Sequence, residues 1–180
     1  DGGQEFTDKL LTVTLAGMAA LTVLVTALAP VLIRLLAGSW QSEKPEAFSL
    51  AVAFAFICLP QVFFYGLYAL LGNVLNARGH FVAFAWAPFV ANVVAVIGLL
   101  SFMVWLPHHR AEGPWTPLMI WWFAGSATVS VVAQALFLIV PLRRSGFRYR
   151  PRFGLRGVGL GTTSRLAGWA FAGLIVSQVP

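Results

Sequence analysis

Residues 47–77 read AFSLAVAFAFICLPQVFFYGLYALLGNVLNA. The stretch Ala47–Ala77 holds no Asp, Glu, Lys or Arg. It is well over the roughly 20 residues a helix needs to cross a hydrocarbon layer about 30 Å thick. Three further stretches share this property: Leu10–Ile33, Gly79–His109 and Gly113–Leu142. They place spans at about residues 10–33, 47–77, 80–107 and 115–142, each long enough for some tilt or interfacial overhang. Backbone groups in lipid must be satisfied within the segment, and the period-2 alternation of a barrel strand is missing, so helices are expected.

The rest of the chain agrees. It has 180 residues, 59% hydrophobic and 10% charged, with a mean hydropathy of +0.82. A soluble domain carries about 25% charged residues; this chain lacks the polar coat that water requires. Soluble globular, disordered and disulfide-scaffold classes are thereby excluded. The expected fold is an all-α integral membrane protein, a polytopic bundle of four full transmembrane helices. A truncated fifth would start at Leu166, with Thr162, Thr163 and Ser164 as N-cap candidates. The chain opens Asp1-Gly2-Gly3-Gln4 without Met or signal-peptide features, and its last apolar run, Leu166–Pro180, is about half a span long. It is therefore expected to be a piece of a longer protein. Cys58, the one cysteine, offers neither disulfide nor metal cluster.

Twelve Lys and Arg against six Asp and Glu give a net charge of +6. Lys9, Arg78 and the arginines 143, 144, 148, 150, 152, 156 and 165 fall on one side; Arg34, Lys44 and Arg110 fall on the other. By the positive-inside rule, the N-terminus and the connection 143–165 are cytoplasmic. No acid is expected inside a span. Trp40, Trp105, Trp115, Trp121 and Trp122 gather near the outer ends, as an interfacial belt would; Trp86 and Trp169 lie near inner ends. Arg34, near an outer end, is read first as snorkelling to the interface and second as meeting an internal partner or a headgroup.

In the second span Gln61, Tyr65, Tyr68, Gly72, Asn73 and Asn76 share one sector of the helix, roughly 140° wide. Such a stripe must face protein or water. Two readings stay open: interhelical hydrogen bonding, worth about 0.6 kcal/mol per bond, or the lining of a cavity. Ser126, Ser130 and Gln134 follow at i+4 steps in the fourth span, and Asn92 stands alone in the third. Asn92 and Gln134 are read as packing contacts ahead of substrate contacts. Thr14, Thr22 and Thr26 are expected to bond their own helix carbonyls. The small pairs Ala16/Ala20 and Ala69/Asn73 would permit close helix approach. Pro30, Pro60, Pro88, Pro117 and Pro141 punctuate the spans, and Pro60 and Pro88 each remove a hydrogen bond well inside one. That marks either a packed kink or a flexible point.

The connection begins RRSGFRYRPRF over residues 143–153. RNA-binding tails alternate cations and aromatics in this way. Here the segment follows a span on the cytoplasmic side, where each basic residue gains about 1 kcal/mol of attraction to an anionic leaflet. Anchoring and topology are the favoured role of Arg143, Arg144, Arg148, Arg150 and Arg152, with capture of an anionic lipid headgroup second and nucleic acid set aside. Gly154, Gly157, Gly159 and Gly161 predict a flexible linker without phosphate-loop spacing. His108 and His109 are adjacent, not spaced as a metal pair. No cofactor, metal site or catalytic constellation is expected, which argues against an enzyme.

The exit Leu75-Asn76-Ala77-Arg78-Gly79, then Phe81, Trp86-Ala87-Pro88 and Asn92, resembles the MurJ/MviN family of lipid II flippases in the MOP transporter superfamily. Gln134 before Pro141 and the pair Arg143-Arg144, and Ser177-Gln178, follow the same order. The resemblance covers essentially the whole chain. It implies helices three to six and the start of helix seven of a two-lobe transporter: residues 1–142 in the first lobe, 143–165 as the connector between lobes, and 166–180 as the next helix. It also implies movement of lipid II, or a related polyprenyl-diphosphate lipid, across the bacterial plasma membrane by alternating access. Anionic lipids and cell-wall synthesis proteins are further candidate partners. The family's main cavity arginines would lie outside this chain. Within it, Gln61 and Tyr65 would line the cavity, and Asn73, Asn76 and Arg78 would sit at its inner mouth, with Asn92 and Gln134 as further candidates. Arg78 would attract the diphosphate or, preferably, pin the inner turn. Two other readings remain. One is another MOP exporter, either a polysaccharide-lipid flippase or a drug/cation antiporter, the latter expected to carry an intramembrane carboxylate. The other is a non-transporting scaffold.

Overall fold

A computed structural model describes residues 2–105, 115–147 and 149–152. The described residues form α1 (Gly2–Ala27), α2 (Ala29–Leu36), α3 (Trp40–Glu43), α4 (Pro45–Cys58), α5 (Gln61–Ala77), α6 (Phe81–Trp105), α7 (Pro117–Phe137) and α8 (Ile139–Arg144), with no strand among them. Thr7–Ala27, Pro45–Ala77, Phe81–Trp105 and Pro117–Arg144 are long and apolar enough to cross a membrane. The chain is a multi-pass helical membrane protein.

The first helix starts at Gly2, not near Leu10 as the charge-free stretch predicted. A charge ends an apolar run but does not end a helix, whose backbone bonds continue regardless of the side chain. The helix therefore takes in Asp8, which is 2% exposed.

Prolines interrupt the regular hydrogen bonding of three spans while the backbone stays near helical. α1 ends at Ala27 and α2 starts at Ala29, with Pro30 in its first turn. The second span divides at Leu59–Pro60 and the fourth at Leu138, upstream of Pro141. Each proline lacks an N–H and crowds the preceding turn, so the break falls at or before it. Pro88 stays inside an unbroken α6. Outside the apolar cores, Trp40–Glu43 adds a short helix where an outer loop was expected. Thr116 caps α7 by accepting from the Met119 amide at 3.3 Å, with Pro117 in the first turn.

Two compact units divide the chain: Asp1–Ala16 with Tyr149–Pro180, and Gly17–Arg148. In the second, α7 is the central helix and packs against α4, α5, α6 and α8. It buries Met119, Ala124, Ser130, Val131, Gln134 and Ala135. The closest approaches occur where a side chain is missing. A Cβ on Gly98 would fall on Ser126, one on Gly72 on the Phe84 ring, and one on Gly66 on the end of Met18. The predicted small residues Ala16, Ala20, Ala69 and Asn73 are instead exposed. Around the start of α7, Phe54, Phe102, Trp115 and Phe123 meet in edge-to-face and stacked pairs 5.5–6.3 Å apart. Such pairs favour offset and edge-on geometry and tie α4 and α6 to the start of α7.

Candidate functional site

The break at Pro60 leaves helix carbonyls without their usual partners. Val62 donates to Leu59 rather than to Cys58, and Phe63 donates to Pro60. Thr128 on α7 repairs part of this loss. Its hydroxyl lies 2.9 Å from the Ile57 carbonyl and 3.0 Å from the Ala124 carbonyl of its own helix. It also accepts from Gln61 Nε2 at 2.8 Å. A single hydroxyl thus joins α4, α5 and α7, its one proton facing the Ile57 and Ala124 carbonyls while its oxygen accepts from Gln61. Sequence reasoning missed Thr128. It stood between the noted Ser126 and Ser130, and the only signal was its proximity to a row of hydroxyls.

The polar sector of α5 divides along its length. Gln61 bonds α7, Tyr68 stacks on Phe84 with ring centres 4.8 Å apart, and Gly72 is buried against the same ring. Tyr65 is 52% exposed and Asn73 is exposed. Tyr65 and Gln61 line a cavity of about 440 Å³ with Ile33, Phe54, Cys58 and Leu59, beside the proline break. Asn76 is half-buried, and its Oδ1 is buried without a hydrogen-bond partner. Gln134 is buried in α7. Asn92 is exposed, against the expectation of a packing contact, because it lies on the face of α6 that carries the exposed Phe89, Val93 and Val96. Ser126 and Ser130 bond carbonyls of their own helix. Thr22 and Thr26 do not, contrary to expectation; their hydroxyls are buried and unpartnered.

At the end of α5 the sequence dictates the turn. Gly79 adopts φ +77°, and His80 donates to Leu75 at 2.9 Å while Gly79 donates to Asn76 at 3.0 Å. That is a Schellman closure, which favours glycine at the left-handed position. Arg78, the residue before it, is thereby aimed at the end of α8. Its Nη1 donates to the Ser145 carbonyl at 3.2 Å, and its guanidinium lies 4.9 Å from the centre of the buried Phe147 ring. A cation at a helix C-terminus meets the negative end of the dipole. Of the two readings offered for Arg78, this geometry matches the pin.

Arg143 and Arg144 are exposed in the last turn of α8, and Arg150 is exposed. Arg34 is exposed at the end of α2. Arg148, the glycines 154–161, His108, His109, Arg110, Ser177, Gln178 and the expected helix from Leu166 lie outside the described residues.

In the first unit Tyr149–Arg152 lies against α1. Arg152 pairs with Glu5 at 3.2 Å, and Glu5 pairs with Lys9 at 3.0 Å. Lys9, one turn along the helix, and then Arg152 hold the Glu5 carboxyl below its ordinary value of 4.5. The Thr12 hydroxyl lies 2.8 Å from the Tyr149 hydroxyl and 3.1 Å from the Arg152 amide. Among the described residues no group of His, Cys, Asp and Glu is arranged to hold a metal. On α5, α6 and α7 the polar side chains are uncharged, while α1 carries Glu5, Asp8 and Lys9.

Comparison with known proteins gives one family. The family model described as Lipid II flippase MurJ matches residues 1–180. A probable lipid II flippase MurJ from Rhizobium tropici is 26% identical over 85% of this chain and 27% of its own length. One from Vibrio cholerae is 29% identical over 78% of this chain and 25% of its own length. One from Rickettsia prowazekii is 33% identical over 54% of this chain and 19% of its own length. The chain thus spans about a quarter of the length of the curated relatives it matches. No solved structure matches it.

Proposed function

The chain belongs to the MurJ family of lipid II flippases, and from that premise we propose that it forms part of the first lobe of a transporter moving lipid II across the bacterial plasma membrane. The carrying observation is the family match over the full 180 residues. A diphosphate headgroup cannot cross hydrocarbon unaided, and two lobes rocking about a polar cavity lower that barrier.

Within this reading the chain supplies wall rather than clamp. Tyr65 and Asn73 form the exposed edge of the α5 sector and would meet the cavity; Gln61 would hold the wall by its bond to Thr128. Arg78 would set the inner turn through Ser145 and Phe147. Residues 143–165 would be the cytoplasmic connector between lobes, with Arg143, Arg144, Arg150 and Arg152 facing anionic headgroups. The nine-to-three split of basic residues supports the cytoplasmic placement of that connector and of the N-terminus.

The family match carries the choice of this reading over a drug/cation antiporter. The test is complementation: the full-length protein should restore growth of cells depleted of their own lipid II flippase. Membrane expression without rescue would sink the proposal.

A further inference from the structure

Thr12 is 4% exposed, and its hydroxyl uses its whole hydrogen-bonding capacity. Its one proton goes to the Asp8 carbonyl, one turn back, at 2.7 Å. It therefore accepts from both of its other neighbours, the Tyr149 hydroxyl at 2.8 Å and the Arg152 amide at 3.1 Å. Pro151 stands between those two residues and biases Arg150 toward extended backbone. That preorganises Tyr149–Arg152 so that a side chain at one end and an amide at the other reach one oxygen. Two turns back along α1, Glu5 adds an ion pair to Arg152 at 3.2 Å.

We infer that Thr12 is a positioning residue that latches the start of the inter-lobe connection onto the first helix, so that Tyr149–Arg152 moves with that helix. This rests on the proposed function insofar as residues 143–165 join two lobes. The alternating apolar and basic sequence gave no hint of it. The latch needs only one buried hydroxyl, 137 positions from its partner, and Thr is common in membrane helices for local reasons.

The test is amide exchange of the full-length protein in lipid nanodiscs, compared with its lipid II flipping rate. Thr12→Val keeps the shape and removes the acceptor. Exchange across residues 149–152 should rise about fivefold, the effect of one ordinary hydrogen bond, and exchange in α7 should not change. Thr12→Ser keeps the hydroxyl and should stay within about twofold of the parent. Flipping by Thr12→Val should fall at equal folded abundance, and Thr12→Ser should restore it. If Thr12→Val does not fold, Tyr149→Phe, at a 40% exposed position, loosens the same segment and serves instead. Unchanged exchange, or Thr12→Ser behaving as Thr12→Val, would overturn the latch. Faster exchange with an unaltered flipping rate would overturn its role in transport. The exchange measurement needs no transport, so failure of complementation with the latch intact would sink the flippase proposal alone.

Discussion

Arg78 joins two helix ends: its guanidinium lies 4.9 Å from the Phe147 ring centre, and its Nη1 donates to the Ser145 carbonyl at 3.2 Å. Each end is followed by a glycine in the left-handed region, Gly79 at φ +77° and Gly146 at φ +78°. The two turns are therefore fixed by backbone as well as by the arginine that spans them.

If Arg78 is a pin, removing it costs stability first. Arg78→Ala should lose about 1 kcal/mol, since an exposed cation–π contact is worth about 0.5–1 kcal/mol and the carbonyl bond adds little in water. Arg78→Lys should recover only part, because an ammonium lacks the flat stacking face. A double-mutant cycle with Phe147→Leu, read by thermal unfolding in detergent, should give a coupling of about 0.5–1 kcal/mol. Strict additivity would return Arg78 to the role of a free substrate contact.

Thr128 and Gln61 form an unequal pair. Thr128→Val deprives both Ile57 and Gln61 of a partner and should cost about 1–2 kcal/mol, within the range of interhelical bonds in membranes. Gln61→Leu leaves Thr128 free to serve the Ile57 carbonyl and should cost less than about 1 kcal/mol. Equilibrium unfolding of both variants decides the order, and a larger loss for Gln61→Leu would contradict the shared-hydroxyl account.

Three glycines face neighbours of different stiffness. An added Cβ at Gly66 meets only the flexible end of Met18, whereas one at Gly98 meets the Cβ of Ser126. Gly98→Ala should destabilise by about 1–3 kcal/mol, the usual cost of overpacking. Gly66→Ala should be nearly neutral, and Gly72→Ala should resemble Gly98→Ala, because the Phe84 ring is held by Tyr68. Melting temperatures of the three variants in one detergent give the comparison.

Acid should loosen the connection from α1. The Glu5 carboxyl is held below 4.5 by Lys9 and Arg152. For a carboxyl whose pKa is lowered on folding, the stabilisation is present above the unfolded value and disappears as pH falls through the folded one. Exchange at Arg152 should therefore be flat from neutral pH down to about 4.5 and rise below it, after correction for the intrinsic rate. Salt should act in the same direction, since the pair is exposed. Glu5→Gln should remove both dependences; a rise that survives in Glu5→Gln would assign the effect to another group.

Much of the architecture could be read from residues alone. The four charge-free stretches lie where the membrane-spanning helices are, and the Arg78-Gly79 exit marked a turn that the backbone then closed. Less of the site was legible. The polar sector of α5 looked like one face, yet Gln61, Tyr68 and Gly72 are packed while Tyr65 and Asn73 are exposed. Which edge met a neighbour depended on how α5 turns against α6 and α7.

The residues in order were enough to establish a helical membrane protein with four helices long and apolar enough to cross. Hydrocarbon and the charged leaflet act on each segment separately, so a local count suffices. Tertiary packing decided the rest: that Thr128 repairs the Pro60 break, that Arg78 grips Phe147, and that Thr12 holds Tyr149 and Arg152. Those partners lie 67 to 140 positions apart in sequence. They meet only because glycine and small residues let particular helices approach at particular rotations, and such geometry is a property of the assembled bundle.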